Sequence, residues 1–173
     1  FMALAGFQDD YLKIKGHENK GLSPRGKLVR QILIALIPTI YAMQTYGTVI
    51  TLGSMDFDLG FLYPIFTVFV VTGASNAYNL TDGLDGLASG TSAIFFATIT
   101  IIAVLLDRLY GLDVVLCVIM LGSTLGFLVY NSYPAKVFMG DTGSLALGGA
   151  LATIAILTKH ELSLLLIGGL YAS

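Results

Sequence analysis

Long apolar runs alternate with short polar breaks along the whole chain. A membrane-spanning helix needs roughly 20 largely apolar residues. On that measure the pattern predicts spans at about 28 to 50, 61 to 79, 87 to 106, 114 to 130 and 144 to 158, with a sixth starting near Leu162. Phe1 to Gly6 reads as the end of a helix already under way, and Leu162 to Ser173 stops inside another apolar run. The expectation is therefore one integral membrane domain over 1–173, cut at both ends, with an all-α fold: a polytopic transmembrane helix bundle. Pro38 falls inside a span and Pro64 at the start of one, which is tolerable where neighbouring helices satisfy the freed backbone groups. Gly86 to Gly90 and Gly122 to Gly126 have the small-xxx-small spacing that suits close helix contact.

Composition agrees with the pattern. Of 173 residues 55% are hydrophobic and 12% charged, and mean hydropathy is +0.82; a soluble domain carries about 25% charged residues to cover its outside. The solvent for most of the chain is lipid, and nucleic acid is not an expected partner. The single Cys117 lies in an apolar run and reads as a small core residue. The net charge of −2 matters less than its distribution, because six of the nine basic residues (Lys13, Lys15, Lys20, Arg25, Lys27, Arg30) crowd into one segment. Lys and Arg accumulate on the cytoplasmic side, so the 7 to 27 segment is expected inside. Parity then places Met55 to Gly60 outside, Leu80 to Gly86 inside, Asp107 to Asp113 outside, Asn131 to Gly143 inside and Lys159 to Glu161 outside.

The three inside loops hold the unusual residues. The first carries Gly6-Phe7-Gln8-Asp9-Asp10-Tyr11-Leu12-Lys13, where two adjacent carboxylates end an apolar helix at electrostatic cost. The second is Asn76-Ala77-Tyr78-Asn79-Leu80-Thr81-Asp82-Gly83-Leu84-Asp85-Gly86, whose Asp82 and Asp85 would share a face on a helical turn. The third, Asn131 to Ser144, sets Asp141 between glycines that let a backbone approach a ligand. Five of the eleven acidic residues, Asp9, Asp10, Asp82, Asp85 and Asp141, thus fall on one side of the membrane. Hard oxygen ligands, with Asn but no Cys or paired His nearby, fit magnesium. Lys13, Lys20, Arg25 and Lys27 can take phosphate oxygens or anionic lipid. A metal with basic neighbours at a bilayer surface points to phosphoryl transfer involving a lipid.

The remaining charges have plainer readings. Asp56, Asp58, Asp107, Asp113 and Glu161 are expected to be solvated caps, Lys15 and Arg30 topology determinants, and His17 and His160 isolated loop residues. Phe138 could pack on its own helix. Gly21 to Leu28 nearly spells a phosphate-binding P-loop, but Leu28 stands where a hydroxyl must meet magnesium. Asn79-Leu80-Thr81 fits a glycosylation sequon on the side where that modification does not occur.

Taken together, Gly6 to Lys13, Lys20-Gly21-Leu22-Ser23, Asn76 to Ala88 and Pro134 to Gly148 resemble the polyprenyl-phosphate N-acetylhexosamine-1-phosphate transferase superfamily over nearly the whole chain. Within it they are most similar to the bacterial branch that makes lipid I. The resemblance implies attack of undecaprenyl phosphate on the β-phosphate of UDP-N-acetylmuramoyl-pentapeptide, giving lipid I and UMP with magnesium, at the cytoplasmic face of the inner membrane. It implies that Asp141 binds the metal and that Asp9 and Asp10 are catalytic, one removing the lipid phosphate's proton. It places Lys13, Asn79, Asp82 and Asp85 in the nucleotide cleft, Asn131 near the phosphates and Phe138 on uracil. The family's later His-rich cytoplasmic motif lies beyond Ser173.

Two alternatives stay open at this point, and so does a homo-oligomer. A sibling transferase would use UDP-N-acetylglucosamine, against which the Tyr11-Leu12-Lys13 and Asn79-Leu80-Thr81 variants speak. An ion-coupled transporter would place its carboxylates near mid-span, whereas here they sit at span ends.

Overall fold

The computed structural model describes residues 1–15, 21–52, 55–105, 111–162 and 164. Lys20, His17 and Asp107 lie outside that set, as does most of the segment expected to begin a sixth span. Six α-helices appear among the described residues: α1 (Met2–Lys15), α2 (Pro24–Tyr46), α3 (Tyr63–Thr81), α4 (Leu87–Leu105), α5 (Leu112–Asn131) and α6 (Gly140–Leu157). Five segments, all but α1, are long and apolar enough to cross a membrane. The all-α expectation holds, with one addition. Between α2 and α3 lies an antiparallel hairpin, β1 (Val49–Leu52) and β2 (Met55–Asp58), with Val49 opposite Asp58 and Leu52 opposite Met55. The span expected to reach residue 50 therefore stops at Tyr46, where Gly47 at φ 74° ends the helix and the β-branched run Thr48-Val49-Ile50-Thr51 takes up strand.

The chain divides into two compact units, Phe1–Asn79 with Gly140–Ser173, and Leu80–Met139. In the first, α6 is the central helix. It is buried on nearly all sides from Ser144 to Ile156, as an apolar helix without a polar face must be. Its glycines let neighbours in: a Cβ on Gly148 would lie 2.5 Å from the Ala74 carbonyl oxygen of α3, and one on Gly149 would lie 2.7 Å from Met2 of α1. At its start the roles reverse, because a Cβ on Gly6 of α1 would collide with the Asp141 carbonyl oxygen. Such separations are possible only because the methyl groups are missing.

The helices α2 and α3 run antiparallel beside α6. Ser23 caps α2, its Oγ accepting from the Gly26 N–H at 3.2 Å, and Pro24 opens the helix where its missing N–H costs nothing. Pro64 sits likewise in the first turn of α3. The start of α2, the end of α3 and the start of α6 consequently share one end of this unit. At the other end Lys159, just past α6 at φ 59°, donates to the Val49 and Gly47 carbonyls at 2.9 and 3.3 Å. Glu161 is there too, but not as a solvated cap: it is 1% exposed and accepts from the Tyr63 hydroxyl at 3.2 Å. Burial pushes its carboxyl upward from the ordinary glutamate value. Asp56 and Asp58 on the hairpin are exposed.

The second unit is an α4–α5 hairpin with a short loop at each side of it. Ala88, Ser92, Ala93 and Phe96 of α4 and Val114, Cys117 and Thr124 of α5 are buried. Within this unit, among the described residues, nothing lies within 4 Å of a Cβ placed on Gly90, Gly122 or Gly126, whereas one on Gly86 would lie 3.4 Å from Leu128 and Ser132, and Gly86 is required for its φ of 74° in the turn before α4.

Candidate active site

The first expected loop is not a loop. The helix α1 continues through Asp9 and Asp10 to Lys15, because Lys13, one turn on, offsets their charge: its Nζ lies 2.6 Å from Asp9 Oδ2 and 3.8 Å from Asp10 Oδ1. Asp141 is likewise not suspended between glycines in a loop. Gly140 at φ 65° turns the chain, and Asp141 occupies the first turn of α6. Close approach of α1 and α6 at Gly6 then brings all three carboxylates together, with one oxygen of each within 4.8 Å of the others.

Each carboxylate is held differently. Asp9 is 3% exposed, packs against Gly21, and accepts from the Leu22 N–H at 2.6 Å as well as pairing with Lys13. Asp10 receives the free N–H groups at the start of α6, from Asp141 at 3.2 Å and Thr142 at 2.8 Å, and the Thr142 hydroxyl at 2.6 Å. It does for α6 what a capping side chain normally does for its own helix, and its charge suits the positive end of the helix dipole. Asp141 receives Asn79 Nδ2 on Oδ1 at 2.6 Å, and Lys13 and Lys27 on Oδ2 at 2.9 and 2.8 Å. Asn79 also donates to Ser144 Oγ at 2.9 Å and accepts from Lys27 at 3.5 Å. Burial alone would lower the Lys13 ammonium, but hydrogen bonds to Asp9 and Asp141 and the field of both carboxylates outweigh it and hold the group above the ordinary lysine value.

Three carboxylates against two ammonium groups leave one formal negative charge in a small, partly buried volume. All donors are hard oxygens, the set that magnesium takes. Octahedral ligands at about 2.1 Å lie at most about 4.2 Å apart, so a spread of 4.8 Å accommodates the ion with a small contraction or a bridging water. The residues fit the group.

Of the other expected site residues, Asp82, Asp85, Asn131 and Phe138 belong to the second unit. Asp82 and Asp85 stand in turns between α3 and α4, so the shared helical face does not form; the glycines at 83 and 86 interrupt it. Asp85 Oδ2 accepts from the Ala135 N–H at 2.9 Å. Asn131, 2% exposed, accepts from Ser89 Oγ at 2.7 Å and the Gly86 N–H at 3.2 Å, and donates to the Val137 carbonyl at 3.0 Å. Together they fix the loop that presents Phe138, which is 71% exposed and packs on no helix of its own. Lys27, expected from the sequence to take phosphate oxygens or anionic lipid, joins the centre, and so do Ser144 and Thr142, which nothing in the sequence pattern marks individually. For Lys27 a signal existed in the sequence, its basic charge just inside the start of a span.

The family model for glycosyl transferase family 4 matches residues 1–159. Among curated proteins, the phospho-N-acetylmuramoyl-pentapeptide-transferase of Bacillus licheniformis is 51% identical over 171 residues, which is 97% of this chain and 52% of that protein. The protein of the same name from Bacillus mycoides is 49% identical over 173 residues, 98% of this chain and 53% of its own length. The chain thus spans about half the length of the curated relatives it matches. A match over so much of this chain, taking in Asp9, Asp10, Lys13, Lys27, Asn79 and Asp141 alike, means that the chain belongs to glycosyl transferase family 4.

Proposed function

We propose that the enzyme carrying this chain transfers phospho-N-acetylmuramoyl-pentapeptide from its UDP donor to undecaprenyl phosphate at the cytoplasmic face of the bacterial inner membrane. The observation that carries this reading is the convergence of Asp9, Asp10 and Asp141 with two lysines on one carboxylate. An oxygen of the acceptor phosphate attacks the β-phosphorus, a new phosphorus–oxygen bond forms, and the bond between the α- and β-phosphates breaks to release UMP. The relatives' shared name supports the muramoyl donor.

Asp141 would hold magnesium, with Asp9 and Asp10 beside it, and the ion would supply neutralising charge to the diphosphate. Asp10 has the more open side chain, 26% exposed against 5% for Asp9, and we assign it to the proton of the acceptor phosphate. Asp9 orients Lys13. Lys13 and Lys27, shared on Asp141 Oδ2, can each turn one donor toward phosphate oxygens while the carboxylate keeps them in register. Asn79 fixes the other oxygen of Asp141. In the second unit Phe138 stacks on uracil, and Asn131 and Asp85 act by holding its loop; Asp82 lines the nucleotide cleft.

The direct test is UMP release by the full-length enzyme with polyprenyl phosphate and each of two donors, UDP-N-acetylmuramoyl-pentapeptide and UDP-N-acetylglucosamine. Turnover with the muramoyl donor alone is expected; turnover with the other alone would replace the reading with the sibling transferase. Phe138→Ala is expected to raise KM for the nucleotide donor and leave KM for the lipid unchanged, since stacking on a base is worth about 1–3 kcal/mol. Equal effects on both substrates would remove Phe138 from the uracil site. In intact cells, Lys20→Cys, Leu84→Cys and Lys136→Cys should share one accessibility to an impermeant thiol reagent, opposite to Asp56→Cys. Labelling at 84 from outside would break the proposed orientation.

A further inference from the structure

The seam between α2 and α3 contains polar pairs that step forward along one helix and back along the other. Lys27 meets Asn79 at 3.5 Å, Gln31 meets Asn76, and Thr39 meets Thr67 with 3.0 Å between hydroxyl oxygens. Buried Ala35 and Val71 fill the space between. The middle pair is unlike the others. Gln31 is 0% exposed, and the two amides bond reciprocally, Gln31 Nε2 to Asn76 Oδ1 at 3.2 Å and Asn76 Nδ2 to Gln31 Oε1 at 2.8 Å. Asn76 spends its second N–H on the Thr72 carbonyl at 2.8 Å, which fixes its rotamer.

Two primary amides inside apolar spans are costly unless every donor and acceptor is met. Here each is the other's partner, so sliding or rotating either helix would strand both. Gln31 lies one turn from Lys27 on α2, and Asn76 one turn from Asn79 on α3. Those two neighbours grip opposite oxygens of Asp141, Lys27 on Oδ2 at 2.8 Å and Asn79 on Oδ1 at 2.6 Å. Asn79 has a short side chain and cannot follow Asp141 if α3 moves by an ångström.

We infer that Gln31 and Asn76 are positioning residues, an amide clasp that sets the register of α2 against α3 and thereby the orientation of the Asp141 carboxylate. The inference rests on the proposed reaction for its kinetic readout, but its structural readout is independent of activity. A clasp of this kind acts on the chemical step and on the ion held at Asp141 more than on donor binding.

The test uses the full-length enzyme with Gln31→Leu, Asn76→Leu, both together, and the exchange Gln31→Asn with Asn76→Gln, which keeps every amide group. Each leucine variant is expected to lower kcat by roughly tenfold or more while donor KM changes by less than about threefold, and to raise the magnesium concentration for half-maximal rate. The double leucine variant should lose less than the product of the single losses, and the exchange should regain most of kcat. In parallel, Thr39→Cys with Thr67→Cys is oxidised in each background; cross-linking should fall in the single leucine variants and return in the exchange. Single variants within about twofold of the parent in kcat would overturn the inference. So would an exchange that folds and cross-links but is no more active than the singles. Should the leucine variants not fold, the exchange decides alone. A parent that releases no UMP would count against the proposed function, while the cross-linking would still test the clasp.

Discussion

In the full-length enzyme, Asp141→Asn is expected to abolish the proposed UMP release while the protein stays folded and inserted. Asn keeps the size of the side chain and can still accept from Asn79 on one side. What it loses is the charge that holds Lys13 and Lys27 at 2.9 and 2.8 Å on the shared oxygen, along with the carboxylate expected to hold the ion. Removing the contact to a catalytic metal costs several kcal/mol of transition-state stabilisation, on the order of a thousandfold or more in rate, and excess magnesium should recover little of it. The control is Asp56→Asn on the exposed β2 strand, which should leave activity within about twofold because surface substitutions usually change free energy by no more than about 0.5 kcal/mol. Near-normal UMP release by the Asp141 variant at low magnesium would move the metal assignment to another carboxylate.

Gly6→Ala should be nearly as damaging, although alanine is the mildest substitution a helix can receive. The added methyl would collide with the Asp141 carbonyl oxygen and stand 2.5 Å from its carbon and 2.6 Å from Thr142 Cα. All three are main-chain atoms, so no side chain can swing aside. The two helices must part by more than an ångström, and Asp10 would then lose its hold on the Asp141 and Thr142 N–H groups. We expect overpacking of about 1–3 kcal/mol or more, read as a lower Tm in detergent, together with loss of turnover. Gly73→Ala on α3, where nothing among the described residues lies within 4 Å of an added Cβ, should lower neither. Parent-like activity in Gly6→Ala would show that α1 and α6 do not meet as described.

The bundle and its cluster of carboxylates were legible in the sequence for the same reason: charge is expensive in lipid. Apolar runs of span length mark the helices, and aspartates at their ends demand an explanation, which is why Asp9, Asp10 and Asp141 stand out at once. How they are held was not legible. Whether Asp9 and Asp10 end a helix or ride on one depends on Lys13 at i+4, and Asp141 enters α6 only because Asp10, far away in sequence, supplies the cap. Glu161 was assigned to solvent from its neighbours Lys159 and His160, which look like loop, yet Tyr63 on α3 waits for it. The hairpin was hidden because Thr48 to Thr51 are apolar enough to extend a span, although their branching at Cβ favours strand. Gln31 is harder still to read: it is one of two glutamines within an apolar span, and its partner Asn76 is legible only in three dimensions.

The capping of α6 by Asp10 also has a consequence for how the protein is made. The two partners of the shortest cap bond are 132 residues apart, and synthesis at about 5–20 residues per second separates their emergence by roughly 7–26 seconds. Throughout that interval the carboxylates of α1 have the partners near them in sequence, Lys13 for both and the Leu22 N–H for Asp9, but the cluster with Asp141 has not formed. Once α6 is in place its first N–H groups and Asp10 complete each other. The proposed centre is in this sense self-timing: a chain arrested before residue 140 has no carboxylate cluster to assemble.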